Sequence, residues 1–216
     1  MARVSQEHLD ARRRQILDGA ARCFARNGFH ATSMQDVLKE VDLSAGAVYR
    51  YFSGKEELIA AIVREVLAEV RGGFEEATRS SPPPSPDLLV TSVLSRVLAA
   101  KEDLTVDGRP ALPGLVIQVW AETLRNDDLA AVLREGYSAV QETWSRIVAA
   151  YQEAGIMPPD VSPDHVARTM MATAMGFIAQ QALFGPAPAE ILGDGLRALT
   201  SVRDHSAVNV PETRSN

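Results

Sequence analysis

The residues best placed to do chemistry fall within a short stretch near the N-terminus. Ser33, Gln35, Tyr49, Arg50, Tyr51 and Lys55 carry hydroxyl, amide, phenol, guanidinium and ammonium groups, with Ala45-Gly46-Ala47 between them. Donor groups of this kind hydrogen-bond phosphate oxygens, and amides or guanidinium groups also read base edges. A helix that enters the major groove must be slim where it touches the bases, and Ala45, Gly46 and Ala47 meet that need. Lys55 lies where a helix start is expected, and free N–H groups at a helix N-terminus already favour phosphate.

The alternative chemistries lack their residues. None of His8, His30, His165 or His205 has a Glu three residues earlier, so no di-metal Glu-x-x-His pair is present. There is no H-E-x-x-H, no P-loop and no G-x-S-x-G. A catalytic site, a metal site and a bound cofactor are therefore not expected. Glu56-Glu57 and Glu75-Glu76 read as solvated helix faces. A helical enzyme stays as a distant alternative. Cys23 is the single cysteine, which excludes an internal disulfide and a Cys-based zinc site and suits a reducing cytoplasm.

The elements that must position these groups are helical. Apolar residues recur at helical spacing throughout, and no run sustains strand alternation. A first helix is expected over residues 9–27, with Arg12, Arg13 and Arg14 near its start and Gly28 as its left-handed stop. Ser33 and Asp36 resemble a capping box opening a short helix, Asp42-Leu43-Ser44 makes a turn, and Ser44 caps a second short helix to about residue 51. Ser53 and Glu56 form an S-x-x-E capping box for a long helix over 55–79. Residues 80–86, SSPPPSP, are a linker. Helices then follow over 87–101, 114–126, 127–154, 162–184 and 187–202, with a loop around Gly108, Pro110 and Pro113.

Net charge supports the division. Residues 1–55 hold nine Lys/Arg against six Asp/Glu, whereas residues 56–216 hold thirteen against twenty-two. A basic end suits phosphate and an acidic remainder limits non-specific adhesion. With 46% hydrophobic and 23% charged residues, the chain has the balance of a folded globular protein. The N-terminal residues lack an apolar core of a signal peptide, and the uncharged stretch 169–189 reads as a buried helix ending near Gly185. No membrane partner is expected, and the expected location is cytoplasmic.

The run GAVYRYFSGKEELI resembles the TetR family signature, Gly-x-Leu-Tyr-x-His-Phe-x-x-Lys-Glu, and ARNGFHATSMQDVLKEVDLS resembles the part upstream of it. The resemblance is specific over residues 9–65; beyond them only the helical layout is similar. It implies an all-α chain with a helix-turn-helix DNA reader over 1–55, a helical ligand-binding and dimerisation domain over 56–204, and a flexible tail over 205–216. It also implies that Gln35 and Ala47 touch bases, that Ser33 holds the backbone, and that Tyr49, Tyr51 and Lys55 meet phosphates. Arg50 occupies a variable position open to guanine or phosphate, and Val48 and Phe52 are core. Two departures stand out: Asp42 replaces the usual turn glycine, and Tyr51 replaces the usual histidine while keeping a donor.

In the second half, Leu133, Val140, Ile147 and Ala154 recur every seven residues, with Tyr137, Trp144 and Tyr151 four positions later. That seam suits helix packing at a shallow angle. Thr169, Ala172, Thr173, Gly176 and Ala179 form a small-residue face on the next helix. The resemblance implies a four-helix homodimer interface, assigned here to Leu133, Val140, Ile147, Tyr151 and that face. It implies a ligand cavity as well, with Phe74, Trp120, Tyr137, Gln141, Trp144, Met171, Met175 and Phe177 as candidate lining residues. The expected partners are a double-stranded operator, a second copy of the chain and an unidentified small-molecule effector. A helix-turn-helix regulator without a ligand, controlled by a protein partner or by abundance, is the alternative.

Overall fold

The computed structural model describes residues 6–80 and 82–201, so the tail expected over 205–216 lies outside the described residues. The three-helix N-terminal unit is built by local signals. α1 (Gln6–Asn27) ends at Gly28, whose φ of +83° gives the left-handed turn that a side chain would oppose. α2 (Met34–Val41) opens on a full capping box: the Ser33 side chain accepts from the Asp36 N–H, and the Asp36 carboxylate accepts from the Ser33 N–H. Asp42 takes the left-handed C-cap at φ +51°, as its place in the turn requires. α3 (Ala45–Tyr49) starts at Ser44, whose side chain accepts from the Ala47 N–H at 3.3 Å. Ile16, Ala20, Phe24, Val37, Val48 and Phe52 close the core of this unit.

α4 (Lys55–Ala77) corrects one local expectation. Its N-cap is Gly54, without a side-chain cap bond, so Ser53 and Glu56 make no capping box. Glu57 takes that job one residue later: its carboxylate accepts from the Ser53 N–H at 2.7 Å and from the Ser53 hydroxyl at 2.8 Å.

The body that follows is a stack of long helices. α5 (Pro86–Ala99) starts with proline at its first turn, where a missing N–H costs nothing. α6 (Leu112–Thr123), α7 (Asp127–Glu153), α8 (Pro163–Phe184) and α9 (Ala189–Ser201) complete it. Between α5 and α6 the chain makes a small antiparallel hairpin, β1 (Thr105–Val106) with β2 (Arg109–Pro110). Its Asp107-Gly108 turn has positive φ at both residues, the primed geometry that fits the strand twist. The hairpin lies where the sequence reads as a loop, and the pair is too short to show alternation in the sequence.

α7 is the central helix, packed between α4 and α8. At the α4 crossing Gly136 lies against Leu67, and no Cβ fits between them without displacing that leucine. α9 is clamped to α5 by Arg197, whose Nε lies 2.9 Å from the Asp87 carboxylate. The Tyr151 hydroxyl donates to the Pro84 carbonyl, and burial pushes its pKa up to about 12.

The interface expectation for α7 is corrected by burial. Val140, Ile147 and Tyr151 are 2%, 0% and 1% exposed within a single chain, so they form internal core. Leu133 is partly buried against the same core. The seam is real, but its central residues Val140, Trp144, Ile147 and Tyr151 are already covered within one chain. On α8 the outcome differs: Thr169, Ala172 and Gly176 are exposed, with Thr173 and Ala179 half-buried beside them. That face continues into exposed Leu183 and Phe184, and α9 exposes Ile191 and Leu199.

Candidate functional site: a candidate nucleic-acid interface and an apolar cavity

Ion pairs and a side-chain hydrogen bond lock α2 to α1. Arg22 Nε lies 2.7 Å and Arg26 Nη2 2.9 Å from the two oxygens of Glu40, bridging α1 to α2. The Arg22 and then the Arg26 hydrogen bonds hold the Glu40 carboxyl below the usual range. Gln15 adds a bond to the Val41 carbonyl at 3.0 Å.

The expected DNA-facing groups fall on α2, α3 and the residues that flank them. Ser33, Gln35, Ala45, Gly46, Tyr49 and Arg50 are exposed, whereas Ala47 and Tyr51 are half-buried. Tyr49 is 49% exposed, a large value for a phenol. The Arg50 guanidinium lies 5.7 Å from the Tyr51 ring centroid, so the two side chains share one wall. Val48 and Phe52 face inward. Ser33 is committed: its hydroxyl donates to Asp36 at 2.6 Å while capping α2.

Lys55 departs from its expected place. Its ammonium donates to the carbonyls of Phe29 at 3.0 Å, His30 at 3.4 Å and Thr32 at 3.3 Å, and it sits 4.7 Å from the Phe29 ring centroid. An ammonium has three protons, and three carbonyls take them. A phosphate contact by Lys55 requires it to leave this turn, so its first role is to pin the start of α4 to the α1–α2 connection.

Two further ties join the three-helix unit to the body, and sequence reasoning missed both. His30 Nε2 lies 2.9 Å from Glu122 at the end of α6. Lys101 bridges Glu65 of α4 at 2.7 Å and Asp18 of α1 at 3.4 Å. Burial works against the Lys101 charge, yet the Glu65 and Asp18 bonds outweigh it and raise the pKa. Partners so distant in sequence leave no local pattern.

The helical body holds a cavity of about 140 Å³ bounded by α4, α5, α6, α7 and α8. Phe74, Trp120, Tyr137, Trp144, Met171 and Met175 line it, as expected. Gln141 and Phe177 do not; Phe177 packs instead with Leu94 and Ala189. Val140, expected at an interface, forms wall, together with valines of α4 and α5 such as Val66, Val70, Val90 and Val93. Those valines follow the ordinary periodicity of core residues, so nothing marked them. Trp120 donates its indole N–H to the Tyr137 hydroxyl at 2.8 Å.

Among the described residues no group of three or more His, Cys, Asp or Glu is placed to hold a metal ion, and no helix is long and apolar enough to cross a membrane.

Known proteins share this architecture. The family described as "Bacterial regulatory proteins, tetR family" matches residues 16–62, and "BetI-type transcriptional repressor, C-terminal" matches residues 93–201. The regulator UidR of Escherichia coli (strain K12) is 28% identical over 187 residues, covering 87% of this chain and 90% of that protein. The repressor Rv1474c of Mycobacterium tuberculosis (strain ATCC 25618 / H37Rv) is 45% identical over 65 residues, 30% of this chain and 35% of that one. Salmonella enterica GusR superposes with a TM-score of 0.69 at 27% identity, covering 92% of this chain and 98% of that one. With a helix-turn-helix unit and a helical body both matched, the chain belongs to the TetR family of transcriptional regulators, which are DNA-binding proteins and not enzymes.

Proposed function

We propose that the protein is a transcriptional repressor that binds a palindromic operator as a homodimer and is released by a small, largely apolar effector. The observation that carries this reading is the pairing of an exposed, slim α3, flanked by Tyr49 and Arg50, with an apolar cavity in the body behind it. In this reading residues 1–55 are the reader and 56–204 the sensing and dimerising domain. Gln35, Ala47 and Arg50 face base edges, Ser33 orients the backbone of α2, and Tyr49 and Tyr51 meet phosphates. Lys55 supports them by fixing α4 to the α1–α2 turn, with its charge close to the same surface. The word repressor in the matched C-terminal family and in the Mycobacterium relative supports the sign of regulation.

Dimerisation is assigned to the exposed faces of α8 and α9, where Thr169, Ala172, Gly176, Leu183 and Ile191 lack cover within one chain. A twofold dimer would set two α3 helices about 34–36 Å apart, one turn of DNA. Effector in the cavity acts on α4, whose first residue grips the reader. Release then requires that the effector bind the tilted state more tightly than the DNA-competent state.

A footprint of the purified protein on DNA flanking its own gene tests the reading. Two symmetric protected half-sites one helical turn apart, lost on adding effector, are expected. Protection of a single half-site by a monomer would overturn the dimer, and no protection above that of unrelated DNA would overturn the operator.

A further inference from the structure

The cavity wall carries no ionisable side chain other than a phenol. Of its nineteen residues, only Trp120, Tyr137 and Trp144 bear an N–H or O–H on the side chain; the rest are aliphatic residues, methionines and Phe74. No Lys, Arg or His is present to meet an anion, and no Asp or Glu to meet a cation. A charged ligand would lose its hydration here with nothing to replace it.

Three side-chain donors remain, the indole N–H groups of Trp120 and Trp144 and the Tyr137 hydroxyl. Trp120 gives its N–H to the Tyr137 oxygen. Among the described residues the Tyr137 hydroxyl proton has no acceptor. Accepting from Trp120 polarises the phenol and strengthens it as a donor. Burial raises the Tyr137 pKa, with the Trp120 bond partly opposing, so the hydroxyl keeps its proton at neutral pH.

Size narrows the ligand further. A volume of about 140 Å³ is close to that of apolar protein cavities, about 150 Å³, that take up benzene. Phe74 and Trp144, tilted by 52° at a centroid distance of 4.9 Å, supply aromatic wall.

We infer that the effector is an uncharged molecule of about one aromatic ring carrying a hydrogen-bond acceptor, which takes the free proton of Tyr137. This rests on the effector reading above and assigns its ligand class. Carboxylates and ammonium ions fall outside that class.

The two tryptophans of the chain both line the cavity, so intrinsic fluorescence reports occupancy directly. Acetophenone, ethylbenzene and benzoate are matched in size and differ in acceptor and charge. Titrated into the full-length protein, with calorimetry as a second readout, acetophenone and ethylbenzene should bind saturably and benzoate at least about a hundredfold more weakly than acetophenone. Tyr137→Phe should weaken acetophenone by about fivefold, the loss of one hydrogen bond, and leave ethylbenzene within twofold. Circular dichroism confirms that the variant folds.

Benzoate weaker than acetophenone by less than about a hundredfold would overturn the uncharged class. An equal effect of Tyr137→Phe on both neutral probes, or on neither, would overturn the acceptor assignment. Failure of all three probes to bind the folded protein would overturn the inference entirely. Release is scored separately on the footprinted operator. If acetophenone binds as expected but leaves the operator complex intact, release by an effector fails while the ligand class stands. If benzoate alone binds and releases DNA, release stands and the class falls.

Discussion

His30 Nε2 lies 2.9 Å from Glu122 Oε2, which ties the turn after α1 to the last turn of α6. The glutamate is 8% exposed and the histidine 63%, so the link runs from a fixed acid to a ring at the surface. α6 also contributes Trp120 to the cavity. A change at the wall is therefore two residues from a contact on the reader. His30→Ala should cost about 1 kcal/mol, because the histidine is largely exposed and the buried Glu122 keeps Arg125 beside it at 3.5 Å. It should reduce the factor by which effector weakens operator binding by at least about threefold, because that factor is a coupling between two sites. An unchanged factor in paired operator titrations would mean that this contact does not transmit the signal.

Tyr49 and Lys55 separate by experiment. Lys55→Ala strips the donors from three carbonyls of the α1–α2 turn and should lower stability by about 1–2 kcal/mol, seen as a lower Tm. Tyr49→Phe removes a hydroxyl from a half-exposed ring. It should leave Tm within about a degree and weaken binding to every DNA sequence by a similar factor. A loss confined to one base position would move Tyr49 from phosphate to base reading. Arg50→Ala distinguishes its own two roles in the same assay: relaxed preference at one base pair marks guanine, and a uniform loss with a shallower salt slope marks phosphate.

How much of this was legible follows from how local each signal is. Ser33–Asp36, Asp42, Ser44 and Gly28 act within four residues, and caps and stops of that range are written in the chain. The Ser53 cap was legible in kind but not in partner, since Glu56 and Glu57 are adjacent acids and only the backbone angle at Gly54 selects between them. The seven-residue repeat on α7 correctly announced a packed helix. It held no information on what covers Val140 and Ile147, because an apolar stripe reads the same against α4 as against a second chain. The cavity was half legible for a related reason. Aromatic and methionine residues stand out in a sequence, whereas the valines of α4 and α5 look like any core.

The α8 face gives a prediction in which folding and association part company. A Cβ added at Gly176 meets nothing within 4 Å, so the chain itself tolerates a side chain there. Gly176→Asp should keep the helical circular dichroism spectrum and shift sedimentation toward the 23.4 kDa monomer. Ile147→Asp, at a position with 0% exposure, should instead lower or abolish cooperative unfolding, because a buried charge without a partner costs several kcal/mol. An intact dimer in Gly176→Asp would place the interface away from this face of α8.

Glu40 makes the reader sensitive to acid. Arg22 and Arg26 on α1 hold its carboxylate ionised, with a pKa below the ordinary value, and so fasten α2 to α1. A depressed carboxyl stabilises the folded state above the ordinary range and loses that contribution as pH falls through that range to the folded value. The guanidinium groups are 38% and 50% exposed, so solvent screening limits the effect to about 1 kcal/mol. Glu40→Gln should therefore have a lower Tm than the parent at pH 7, with the gap narrowing below about pH 4, where the parent carboxyl also gains its proton. Melting both proteins from pH 3 to 7 isolates this residue, since the other acids titrate equally in each. A gap of constant size across that range would show that Glu40 acts through packing and not through its charge.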